Sequence, residues 1–130
     1  MGGEWRGSGT VLVVDDDEVI RKLVCRLLEG WDFSVLTVPD GVRAIELFAE
    51  SKDEIVCVIL DSRMPRMNGE ETFKRIRKMG SAVPVILISG YGESESTTEF
   101  EAEDLAGFLQ KPFKAADLQR ELCKALGGME

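Results

Sequence analysis

A chain of 130 residues has the length of one domain and can bury a single hydrophobic core. Apolar residues make up 44% and charged residues 31%, a globular balance, and no apolar run is long enough to span a bilayer. The net charge of −8 argues against nucleic-acid binding, and the lack of His excludes Ser/His/Asp triads and imidazole-ligated metals. No signal-peptide pattern opens the sequence, so we expect a cytoplasmic domain without membrane contact.

In chain order, short apolar runs alternate with stretches of helical periodicity. The runs predict five strands: VLVV (11–14), FSVLTV (33–38), IVCVIL (55–60), PVILIS (84–89) and GFLQ (107–110). Five helices are predicted after them, carrying Ile20, Leu23, Val24, Leu27 and Leu28; Ala44, Ile45, Leu47 and Phe48; Phe73, Ile76 and Met79; an acidic stretch over 94–104; and Leu118, Leu122 and Leu126. This alternation predicts an α/β fold, with helices on both faces of a parallel sheet.

The domain limits and the cysteines are interpreted as follows. We predict one domain over residues 10–127, preceded by a linker or added residues over 1–9 and followed by a tail over 128–130. Cys25, Cys57 and Cys123 are few, widely spaced and set in apolar stretches, so they are interpreted as buried hydrophobic residues rather than disulfide or zinc ligands.

The residues that follow the predicted strands carry most of the chemistry of this sequence. Asp15, Asp16 and Asp17 follow the first strand, Asp61 follows the third, Ser89 ends the fourth, and Lys111 follows the fifth. A parallel sheet brings these strand ends together, which predicts a cup of carboxylates with one hydroxyl and one ammonium. Neighbouring carboxylates repel one another, so they are either solvated or arranged for a cation. Asp17 is interpreted as the cap of the first helix.

Four segments in register identify a resemblance. VLVVDDD, VILDSRMPRMNG, PVILISG and GFLQKPF resemble the successive signatures of the receiver domains of two-component response regulators. The resemblance implies a flavodoxin-like (βα)5 fold, a doubly wound five-stranded parallel sheet with strand order 2-1-3-4-5. It also implies phosphorelay signalling by a phosphoprotein rather than an enzyme in the usual sense, although a longer parent chain could be a histidine kinase.

The resemblance assigns roles to the acidic residues. Asp61 aligns with the phosphoacceptor, which takes a phosphoryl group from a phosphohistidine. Asp15 and Asp16 align with the pair that binds Mg²⁺, and the backbone carbonyl of Arg63 is implied as a further ligand. Taken singly, a strand-end Asp is more often a loop cap, so the assignment rests on the whole set.

The remaining roles concern the response to phosphorylation. Ser89 aligns with the hydroxyl that binds a phosphoryl oxygen, Lys111 with the ammonium that pairs with the acyl phosphate, and Phe108 with the switch aromatic. The family usually has a cis Lys–Pro bond, here Lys111–Pro112. A downstream protein is then expected to bind the face formed by the fourth predicted helix, the fifth strand and the fifth predicted helix.

Two residues are predicted to set how long the signal lasts. Arg63 and Tyr91 lie two positions beyond the phosphoacceptor and two beyond the hydroxyl residue. Neither side chain is well suited to orient a hydrolytic water, so we expect slow loss of phosphate. The alternative is that both side chains turn into solvent.

Other functions are weighed against this one. A docking module that keeps the fold without phosphorylation would lack an acidic residue or the lysine, and none is missing. A flavin-binding protein of similar topology needs a phosphate-binding loop where this chain has three acids. The expected phosphodonor is a histidine kinase or a histidine phosphotransfer protein, and the chain resembles receivers of hybrid histidine kinases, with a stand-alone response regulator as the alternative.

Overall fold

The computed structural model describes residues 7–64, 67–90 and 105–126. The strands are β1 (Thr10–Val14), β2 (Ser34–Val38), β3 (Ile55–Asp61), β4 (Val85–Ser89) and β5 (Gly107–Gln110). The helices within these ranges are α1 (Glu18–Gly30), α2 (Gly41–Ser51), α3 (Gly69–Lys78) and α4 (Ala115–Ala125). The last of these corresponds to the fifth predicted helix, because the acidic fourth predicted helix over 94–104 lies outside the described residues.

The strands form one parallel sheet with the predicted order β2-β1-β3-β4-β5. β1, β3 and β4 are buried on both faces, which is why they read as continuous Val, Ile and Leu runs. Side chains alternate across the sheet. One face packs on α2 and α3 through Phe48 and Phe73, and the other on α1 and α4 through Leu28 and Leu122.

Helix starts are fixed by local hydrogen bonds. Asp17 caps α1 by accepting from the Val19 N–H, as predicted, and Asp40 caps α2 in the same way. The start of α3 is stronger than the sequence analysis recognised, because Asn68 and Glu71 form a reciprocal capping box. This box fixes the end of the loop that follows β3.

Two expectations about buried residues were wrong. Leu23 was assigned to the apolar face of the first helix, but its side chain is 44% exposed, next to Val19 at 72%. The stripe of Val24 and Leu28 already fills the space under α1, so Leu23 lies on the solvent side. Cys57 is buried, whereas Cys25 and Cys123 are only partly buried on their helices.

The described chain begins packed against the sheet rather than free of it. The Gly7 N–H donates to the Trp31 carbonyl, and a Cβ on Gly7 would meet the Phe33 ring at 2.3 Å. These contacts lie at the amino ends of β1 and β2. None of the helices in the described ranges has the length and apolar character needed to cross a bilayer.

Candidate functional site

Asp15 lies directly after β1 and is held by three hydrogen bonds, to the following turn, to α1 and to β2. Its carboxylate Oδ1 accepts from the Asp17 N–H at 2.9 Å, and its backbone carbonyl accepts from the Arg21 guanidinium at 2.7 Å. The Asp15 N–H donates to the Val38 carbonyl of β2. The side chain is 1% exposed, so the turn fixes a buried carboxylate at the carboxyl end of the sheet.

Asp61 is the last residue of β3 and is held from behind by the start of α3. The Gly69 N–H donates to the Ser62 carbonyl at 3.1 Å. A Cβ on Gly69 would lie 2.5 Å from the Asp61 carbonyl oxygen and 2.9 Å from the Ser62 Cα. Only glycine allows this approach, so the Asn68–Gly69 pair brings the start of α3 onto the Asp61 backbone.

The two strand ends bring three carboxylates together. One carboxylate oxygen from each of Asp15, Asp16 and Asp61 lies within 4.8 Å of the others. Asp15 and Asp61 are buried, while Asp16 is exposed at the rim. We call these three side chains and Lys111 the acidic cup. Its parts come from three separate strand ends, as predicted from the parallel sheet.

Lys111 reaches the cup from the end of β5. Its ammonium lies 3.3 Å from Asp15 Oδ2 and 3.7 Å from Asp61 Oδ1, and its backbone N–H donates to the Ser89 carbonyl. The Lys111–Pro112 peptide bond is cis, as the resemblance implies. One ammonium therefore faces two buried carboxylates and a third at the rim.

This excess of negative charge shifts the protonation of the cup. Burial, followed by repulsion from Asp15, raises the pKa of Asp61 to about 7, although Lys111 opposes the shift. Burial likewise raises the pKa of Asp15. For Lys111, burial alone would lower the pKa, but Asp61 and Asp15 outweigh it and the pKa is raised. Without further positive charge, the cup holds its carboxylates at a cost.

The donor set fits a hard divalent cation. Asp15 Oδ2 is buried and accepts no hydrogen bond of acceptable geometry from the described residues, although the Lys111 ammonium is close. Because the Lys111 ammonium is shared between Asp15 and Asp61, a further cation would offset the cost of burying both carboxylates. Carboxylate oxygens, with neither thiolate nor imidazole among them, are the ligands of Mg²⁺-type ions.

The other predicted site residues lie around the cup. Ser89 ends β4, fully buried, and its hydroxyl donates to the Gly90 carbonyl at 3.4 Å. Phe108 on β5 is partly buried beside Leu87. Arg63 is exposed and, with Asp16, Met64 and Asn68, lines an open cavity of about 300 Å³ over the rim. Tyr91 lies outside the described residues.

Two positioning residues were missed by the sequence analysis. Arg21 holds the Asp15 carbonyl, and Gly69 lies against the Asp61 backbone. The sequence offered a signal for Gly69 in the Asn-Gly pair followed by Glu71, which is a helix start as well as a turn. It offered none for Arg21, because a helical Arg is usually a solvated surface residue.

Similarity to known proteins extends over most of the chain. The family model for the response regulator receiver domain matches residues 11–123. The sensor kinase CckA of Brucella abortus is 34% identical over 112 residues, which cover 86% of this chain but only 12% of that kinase. The two-component response regulator ORR5 of Oryza sativa subsp. japonica is 33% identical over 124 residues, covering 94% of this chain and 91% of ORR5.

A solved structure has a similar fold. A response regulator receiver domain protein from Clostridium thermocellum superposes with a TM-score of 0.86 at 28% identity, covering 92% of this chain and 95% of that one. The family match spans both the acidic turn after β1 and the end of β3. The chain therefore belongs to the response regulator receiver domain family of two-component signalling.

Proposed function

We propose that Asp61 accepts a phosphoryl group from a phosphohistidine, in a reaction that requires Mg²⁺. The observation that carries this proposal is the acidic cup: a buried carboxylate at a strand end with two further acids and one ammonium within reach. A nucleophilic carboxylate must be ionised, yet the pKa of Asp61 is raised to about 7. A cation bound beside Asp61 would favour its ionised form, so the nucleophile of the proposed reaction depends on the cation.

The proposed step is a transfer of the phosphoryl group to Asp61, assisted by the other residues of the acidic cup. An Asp61 oxygen forms a bond to phosphorus while the phosphorus–nitrogen bond of the donor breaks, and the departing imidazole keeps the electron pair and takes up a proton. Lys111 pairs with the phosphoryl oxygens and is placed for this by its position between Asp15 and Asp61. Mg²⁺, bound by Asp15, Asp16, Asp61 and the Arg63 carbonyl, would supply charge that neutralises those oxygens.

The proposed response begins at Ser89 and Phe108. The new phosphoryl group attracts the Ser89 hydroxyl, which in this structure bonds only weakly to Gly90, and Phe108 turns toward the space that is vacated. Phe108 is only partly buried, so inward rotation would bury more apolar surface. A downstream protein would then bind the face that includes β5 and α4.

The proposal extends to the kind of protein to which the domain belongs. The similarity to a sensor kinase supports the receiver of a hybrid histidine kinase, and the similarity to ORR5 supports a stand-alone response regulator. In either case the donor would be a histidine kinase or a histidine phosphotransfer protein. We propose a cytoplasmic receiver over residues 10–127 that contacts neither nucleic acid nor membrane, in line with the net charge of −8.

The test is phosphorylation by a small donor. Acetyl phosphate with Mg²⁺ should add one phosphoryl group to the parent, measured by intact mass, and none to Asp61→Asn. Asp53→Asn, a change at an exposed carboxylate, should behave as the parent. Phosphate on another side chain, or an unmodified parent protein, would overturn the proposal and favour a docking module without phosphorylation.

A further inference from the structure

Glu121 is a buried carboxylate that the proposed reaction does not use. It lies on the sheet side of α4 and is 9% exposed, although Glu is among the residues least often buried. Removing such a group from water is costly unless it gains partners. Its contacts therefore indicate what it does.

Two of these contacts lie at the beginning of β5, and a third lies on α4 itself. Glu121 Oε1 accepts from the Phe108 N–H at 3.4 Å, and the Lys124 ammonium lies 3.5 Å from the same oxygen. A Cβ on Gly107 would lie 2.5 Å from Oε1. Gly107 and Glu121 are thus a matched pair, in which the missing side chain leaves room for the carboxylate.

The position of Phe108 in the sheet explains why its amide needs a partner. Among the described strands, β5 lies at the edge of the sheet and pairs only with β4. In a strand, alternate residues direct their backbone groups to opposite sides, and the Lys111 N–H, three residues on, donates to β4. The Phe108 N–H therefore points to the free edge of the sheet, where Glu121 accepts it.

We propose that Glu121 is a positioning residue for the switch, holding the Phe108 backbone in the arrangement seen here, with the ring partly exposed. We call this the outward arrangement. The inference rests on the proposed function, because it assumes that Phe108 turns inward when Asp61 is phosphorylated. In this proposal the hydrogen bond between Glu121 and the Phe108 N–H is broken when the ring turns inward, so it opposes the inward arrangement by its own free energy.

The test uses beryllofluoride, an analogue of the phosphoryl group, with Mg²⁺. Glu121→Ala should bind beryllofluoride about 3- to 10-fold more tightly than the parent, because the outward arrangement loses a hydrogen bond to a charged group. Glu121→Gln keeps an acceptor oxygen and should stay within about twofold of the parent. Lys124→Ala removes only the outer ion pair and should also resemble the parent.

A second measurement tests the hydrogen bond itself. Exchange of the Phe108 amide proton with deuterium should accelerate about tenfold in Glu121→Ala and remain slow in Glu121→Gln. If both variants bind beryllofluoride as the parent does, Glu121 is only structural and the inference is wrong. A parent that does not bind beryllofluoride would overturn the proposed function and the inference with it, whereas binding by the parent with no effect at Glu121 overturns the inference alone.

Discussion

At the scale of single residues, the site is where the chain departs most from the rules that build the rest of the fold. Two carboxylates are buried within reach of a third, with one ammonium between them. Such a departure costs stability and is expected at functional positions. The cost can be measured, because it depends on the charge of Asp61.

Asp61→Asn should stabilise the metal-free protein, and more so at high pH. The folded-state pKa of about 7 lies above the unfolded value near 3.8, so the folded protein binds more protons between these pH values and loses stability as pH rises through them. Asparagine cannot titrate. The gain in free energy of unfolding should be larger at pH 8 than at pH 5 by about 2 kcal/mol, measured by urea unfolding in EDTA.

Glu46→Gln, at an exposed position on α2, is the control for this measurement. An Asp61→Asn variant whose gain is the same at both pH values would contradict the assigned protonation of the cup.

Gly69→Ala should disturb the backbone of Asp61. Its new Cβ would meet the Asp61 carbonyl at 2.5 Å, so the backbone must shift, at a cost of about 1–3 kcal/mol in unfolding free energy. Phosphorylation by acetyl phosphate should slow as well. Gly30→Ala is the matched control, since a Cβ there meets nothing within 4 Å and α1 should gain about 0.5 kcal/mol. A neutral Gly69→Ala would disprove the contact.

Arg63 is predicted to slow the loss of phosphate. Its side chain lines the cavity over the cup and can cover the phosphoryl group. Arg63→Asn should shorten the lifetime of phosphorylated Asp61 several-fold, measured by loss of the phosphoryl mass with time. Tyr91→Ala is predicted to act in the same direction. Lifetimes equal to the parent's in both variants would show that neither side chain shields the group.

At the scale of elements, α1 presents a surface that core packing does not explain. Val19 and Leu23, one turn apart, are the large hydrophobic side chains exposed in the described part of the chain. Asp17 caps the same helix beside the cup. We predict that this apolar pair, on the helix that begins beside the cup, contacts the proposed protein donor.

Replacing Val19 and Leu23 together with Gln should slow transfer from a phosphorylated histidine phosphotransfer protein by about tenfold. Acetyl phosphate makes no such contact, so its rate should not change. The unfolding free energy should change by less than about 0.5 kcal/mol. Arg75→Gln, at an exposed position on α3, is the control. Equal loss with both donors would mean that the substitutions damage the cup instead.

The strands were predictable because buried parallel strands leave apolar runs, whereas their order was implied by the resemblance to receiver domains. The grouping of Asp15, Asp61 and Lys111 followed from the parallel sheet. The exposure of Leu23 did not follow, because periodicity cannot tell which edge of an apolar stripe meets the core. The roles of Glu121 and Arg21 depend on tertiary contacts between residues 13 and 6 positions apart in sequence, and no local pattern marks them.

At the scale of the whole molecule, cation binding by the cup would be coupled to folding. A ligand that binds only the folded chain stabilises it in proportion to the logarithm of its concentration over Kd. Mg²⁺ should therefore raise the melting temperature of the parent by several degrees. Asp16→Ala should lose most of this rise, yet melt higher than the parent in EDTA because one repelling charge has gone. An equal response to Mg²⁺ in both proteins would overturn the cation assignment.

The hydrogen bond from Gly7 to Trp31 determines the end of the sheet at which a tag or anchor can be attached. The backbone joins the sheet at the amino ends of β1 and β2, whereas the cup lies at the carboxyl ends, a strand length of roughly 17 Å away. An affinity tag or surface anchor placed ahead of Gly7 should thus leave the acidic cup open to a partner. By the same geometry, a donor tethered on that side must reach around the length of the sheet, which favours a long flexible tether or delivery by a separate molecule.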